Sequence, residues 1–91
     1  MRELLESIDK VLSRLAQGTP MRESMEWYLG NNLRSYRDAL QNAKTRRDVE
    51  NATRALSRFC TESMEWDSEL FRECTRIQEE GVALAKSWPG G

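Results

Sequence analysis

Between Gly30 and Gly81 the chain contains neither glycine nor proline, and apolar residues recur through that stretch at three- and four-residue intervals. Such spacing gathers apolar side chains on one face of a 3.6-residue helix and departs from the alternation of a half-buried strand. The chain is thereby held to an all-α fold, and the pattern leaves open only how many helices it makes.

Leu4, Leu5, Ile8, Val11, Leu12 and Leu15 predict an amphipathic helix over about 2–17, stopped by Gly18. Thr19-Pro20 reads as an N-cap followed by a proline at the first helical position, and predicts a second helix over about 20–43. Its apolar face holds Met21, Met25, Leu29, Tyr36, Leu40 and Ala43, with Leu33 in phase across Gly30. Thr45 and Asp48 have the side chains of a capping box, and Val49, Ala52, Leu56, Phe59 and Cys60 carry a third helix onward from about 46.

Two architectures follow. A break near Ser63–Ser68, with Asp67 or Ser68 as a new N-cap, gives helices over about 46–64 and 67–87 and a small up-down four-helix bundle. An unbroken helix over 46–88, about 60 Å long, gives three helices and requires a dimer to cover it. Ordinary helix lengths favour the bundle, one domain over 1–88 with 89–91 as a loose C-terminal tail. Cys60 and Cys74 each stand seven residues from Asp67, so a hairpin turning there sets the two thiols at one level. A continuous helix would hold them about 21 Å apart.

The 91 residues include no histidine, which removes the commonest general base and the commonest transition-metal ligand. Two cysteines without histidine supply neither a four-ligand zinc site nor a disulfide framework, and are expected to be reduced and buried. No cofactor, no metal and no catalysis are expected. Eleven arginines and three lysines against fifteen acidic residues leave a net charge of −1, without the basicity of a dedicated nucleic-acid binder. The longest apolar runs fall far below a membrane span, and the N-terminus lacks the apolar core of a signal peptide, so a cytoplasmic protein with no membrane association is expected.

Glu-Ser-Met-Glu-Trp occurs at 23–27 and again at 62–66, and the four-helix arrangement puts both copies at one end of the bundle. By helical phase Trp27 lies opposite the apolar face of its helix, among Glu23, Asn31 and Arg34, where an indole serves as a docking anchor within a polar rim. Glu26, Glu62 and Glu65 at the same end would guide a partner electrostatically. Trp66, at the edge of its stripe, is expected to cap the core. Residues 34–58 carry seven basic and three acidic side chains, whereas 59–80 carry two and seven. Lys44, Arg46, Arg47, Arg54 and Arg58 therefore form a candidate anion or nucleic-acid site, with the third helix's N-terminus adding its dipole. The leading expectation is a non-catalytic protein-interaction module, a small adaptor, regulator or inhibitor of another protein. A nucleic-acid or anion-binding regulator stands second, and a structural homo-oligomeric subunit, such as a homodimer, third.

Overall fold

The computed structural model describes residues 1–65 and 68–89. Among them are four helices and no strand: α1 (Arg2–Gln17), α2 (Met25–Asn42), α3 (Arg46–Ser63) and α4 (Glu69–Lys86). Each helix packs on the next and α4 returns to α1, closing an up-down four-helix bundle of 41 × 21 × 19 Å.

The single helix over 46–88 does not form. Met64 leaves the helical region (φ −108°, ψ 152°) while its side chain stays buried. The Ser68 hydroxyl then donates to the Glu65 carbonyl (2.8 Å) and accepts from the Phe71 N–H (3.1 Å), turning the chain and capping α4 at once. With the core closed inside one chain, the dimer that the long helix required is no longer needed to bury it. The expectations for Trp66 and for Asp67 fall outside the described residues, as do Gly90 and Gly91 of the expected tail.

The start of α2 also differs from the expectation. Thr19-Pro20 opens no helix; Ser24 is the N-cap, accepting from the Trp27 N–H at 3.2 Å. Residues 19–24 form a connecting loop in which Thr19 (φ 46°) and Glu23 (φ 66°) hold left-handed backbone conformations. Neither residue type advertises such a conformation, so the loop is invisible to a reading built on glycine and asparagine. Met21, assigned above to the apolar face, is 80% exposed as a result.

The core repeats at three and four residues along every helix: Leu4, Ile8, Val11 and Leu15; Leu29, Leu33, Tyr36 and Leu40; Val49, Thr53, Leu56 and Cys60; Cys74, Ile77, Gly81 and Ala85. This is the spacing of coiled-coil-like packing, and it stacks the bundle in four layers. One layer sets the register. The Tyr36 and Thr53 hydroxyls hydrogen-bond at 2.8 Å within the core, and α4 passes over the pair at Gly81. A Cβ at position 81 would lie 2.7 Å from Thr53 Oγ1 and would overlap the Tyr36 hydroxyl outright, so only glycine lets α4 approach. Burial pushes the Tyr36 phenol above its ordinary pKa, keeping it neutral and able to donate.

Gly81→Ala is expected to destabilise the fold by about 1–3 kcal/mol through overpacking. Tyr36→Phe alone should cost about 1 kcal/mol by leaving Thr53 without its partner. Because removing the phenolic oxygen also relieves the clash, the double variant should be less destabilised than the sum of the singles, as urea denaturation would measure. Additivity within about 0.5 kcal/mol would mean that the two positions do not touch.

Candidate protein-docking site

The bundle has two chemically different ends. One gathers the 18–24 loop, the end of α3 and the start of α4; the other gathers the α2–α3 turn and the end of α4.

At the first end, the α1–α2 loop stands off the bundle and leaves a cleft of about 430 Å³. Leu15 and Leu70 give it an apolar floor, and Thr19, Met21, Ser24 and Glu26 wall one side. Arg14 borders the other side, held by ion pairs to Glu69 (3.0 Å) and Glu73 (2.9 Å) across the α1–α4 seam. The hydrogen bond to Glu69 and the nearby Glu73 charge raise the Arg14 pKa further, so this guanidinium is a fixed positive charge. The left-handed conformations at Thr19 and Glu23 cost energy, and residues held so are concentrated at functional segments.

Trp27 is half-buried rather than fully outward. It lines a crevice of about 120 Å³ together with Leu12 and Ala16 of α1, Pro20 of the loop, and Gly30 and Arg34 of its own helix. Lining from α1 reaches this crevice only through tertiary packing, which the phase of one helix does not reveal. Tyr28 meets the indole edge to face at 5.0 Å between centroids (81° between planes) and is itself 43% exposed. The outward aromatic is therefore Tyr28, which the apolar phase alone did not single out. Arg34 donates a hydrogen bond to Asn31 Oδ1, and Glu23 and Glu26 are exposed nearby. Glu62 and Glu65 are exposed where α3 ends, at the same end of the bundle, with Glu62 paired to Arg58 at 3.6 Å.

At the other end the five basic candidates separate. Asp48 accepts from the backbone N–H groups of Lys44 (3.0 Å) and Thr45 (3.1 Å), and Thr45 Oγ1 accepts from the Asp48 N–H. This capping box places a carboxylate of the chain itself at the α3 N-terminus, where an external anion would sit. Lys44 and Arg47 remain exposed at the turn. Arg46, paired with Glu50 at 3.8 Å, and Arg54 instead border a groove of about 340 Å³ between α3 and α4, across from Lys86. Its floor is Gly81 and Ala85 with the half-exposed Val82 beside them. Lys86 joins this groove only through the fold, since it lies far along the chain from the basic run.

Among the described residues no group of three or more Cys, Asp or Glu side chains is arranged to hold a metal ion, and no helix is long and apolar enough to cross a membrane.

The N–H donors from Lys44 and Thr45 hold the Asp48 carboxyl below its ordinary pKa. A depressed carboxylate stabilises the fold above its unfolded pKa and loses that contribution as pH falls through the folded value. Asp48→Ala should therefore lower Tm at neutral pH, and the gap from wild type should close as pH falls below the ordinary carboxylate range. A gap that stays constant across this range would show that the carboxylate charge plays no part. Thr45→Ala should cost about 1 kcal/mol by removing the other half of the box.

Comparison with known protein families, with curated proteins and with solved structures found no match for this chain.

Proposed function

We propose that the protein is a non-catalytic interaction module, a small adaptor, regulator or inhibitor that docks on another protein through the 18–28 end of the bundle. The observation that carries this reading is the cleft floored by Leu15 and Leu70 beside a loop that presents Met21 almost fully to water. Burying a methionine returns about 1.5–3 kcal/mol, and an exposed one next to a concave apolar floor offers a partner both a knob and a hole. The Trp27–Tyr28 pair adds rigid aromatic area along the adjoining face of α2, with Asn31 and Arg34 as polar rim. Glu23, Glu26, Glu62 and Glu65 make this end acidic, so the partner surface it fits carries an apolar projection within a basic surround. The reading places the protein in the cytoplasm, where cysteines are kept reduced.

The groove between α3 and α4 favours a second reading, in which Arg46, Arg54 and Lys86 bind an anionic group above the Gly81–Ala85 floor. Lys44, Arg47 and Arg58 would then contribute only longer-range attraction. Binding of this kind to nucleic acid weakens steeply with salt, and a complex insensitive to salt would reject it.

Capture from a cell extract with wild type and with a Met21→Ser/Tyr28→Ser variant tests the first reading. Both positions are exposed, so the variant should keep its helical circular dichroism and Tm. A specific partner should be retained by wild type and lost by the variant, with affinity reduced about tenfold or more. Equal retention of every captured protein by the two forms would reject the docking site. Charge reversal at Glu26 and Glu62 should mainly slow association and weaken its salt dependence.

A further inference from the structure

We propose that Cys60 and Cys74 form a redox-active pair that closes to an intramolecular disulfide joining α3 to α4, with a small-molecule disulfide as oxidant. The two are the only cysteines in the chain, both are 0% exposed, and they lie on helices that pack directly against each other. Register brings them together. Thr53 and Gly81 are in close contact across the α3–α4 seam. Cys60 follows Thr53 by seven residues and Cys74 precedes Gly81 by seven, so in antiparallel helices both return to the seam two turns along, at one level. Cys74 as hydrogen-bond partner holds the Cys60 thiol below its ordinary pKa in spite of burial, while the same contact and burial push Cys74 up. Cys60 is therefore the thiol better able to supply a nucleophilic thiolate.

The chemistry balances as ordinary exchange. The Cys60 thiolate attacks one sulfur of the small disulfide and expels the other half as a thiol, leaving a mixed disulfide on Cys60. The Cys74 thiolate then attacks the Cys60 sulfur, breaks the mixed bond and expels the second half as a thiol. Two electrons and the two thiol protons of the pair end on the small molecule. Burial means that entry requires α3 and α4 to part locally, so the pair should react more slowly than exposed thiols while keeping a favourable equilibrium. The bond would fasten the first turns of α4, the helix that supplies Leu70, without involving α1.

Equilibration of the protein with reduced and oxidised glutathione, followed by acid quench, alkylation and mass spectrometry, tests the proposal. Both thiols should disappear together from the monomer, with a mass loss of about 2 Da. The equilibrium constant for bond formation should be about 100-fold larger in the folded protein than in the urea-unfolded chain, because a bond compatible with the native geometry stabilises it. A ratio of about ten or less would overturn the proposal, as would a stable mixed disulfide with glutathione or a bond between two chains. The comparison uses wild type alone and does not depend on any variant folding. As a second readout, Cys74→Ala should accumulate the mixed disulfide on Cys60 faster than Cys60→Ala accumulates it on Cys74, and the reverse order would contradict the assignment of Cys60 as the attacking thiol.

Discussion

The hydrogen bond between Tyr36 and Thr53, roofed by Gly81, is the contact on which the arrangement of three of the four helices depends. Leucine-rich seams tolerate sliding, since one leucine fills another's hole nearly as well. A pair of buried hydroxyls does not, because moving either helix by a turn would leave two polar groups in the core without partners. Volume reinforces the constraint, the bulk of the tyrosine being matched by a residue with no side chain. That one register sets Leu33 level with Leu56, Leu40 level with Val49, and Cys60 level with Cys74, all of them buried.

Helix α1 is attached differently. Its apolar seam of Leu4, Ile8, Val11 and Leu15 is buried, but its polar links are exposed or half-exposed: Asp9 to Arg37 at 3.2 Å, Ser7 to Glu80 at 3.1 Å, and Arg14 to Glu69 and Glu73. Ion pairs in such surroundings contribute little each, and they align a helix more than they hold it. The same helix walls both the cleft over Leu70 and the crevice beside Trp27. The element least specified by buried polar contacts is thus the one that shapes the proposed docking end.

The helices were legible in the sequence wherever a cap and an apolar stripe agreed. Thr45 and Asp48 announce α3 because a capping box needs only two residues at a fixed separation, and the structure contains both of its hydrogen bonds. The break before α4 was only half legible. Apolar spacing runs through it almost undisturbed, and what starts α4 afresh is a serine that bonds backward and forward, a role many interior serines never take. Thr19-Pro20 misled because a threonine before a proline resembles a helix start, whereas the strained backbone at Thr19 and Glu23 has no signature in residue type. The crevice at Trp27 takes part of its lining from α1, and the α3–α4 groove takes Lys86 from the far end of the chain. Both are facts of tertiary packing.

Strain, chemistry and exposure are unevenly distributed along the bundle axis. The turn between α2 and α3 is saturated by its own capping box, so the positive end of the α3 dipole is already met by Asp48 and little is left to recruit a ligand there. The opposite end has a loop with two left-handed residues, an exposed methionine, a cleft lined by Leu15 and Leu70 and, further in, two buried free thiols. A loop held in a costly conformation persists only if the rest of the structure enforces it. Here the Ser24 cap on the Trp27 N–H ends the loop, and Pro20 and Trp27 border the crevice beside α1. Under the proposed docking, the half-buried tryptophan serves chiefly as a brace beside the exposed Met21 and Tyr28, and less as the anchor itself.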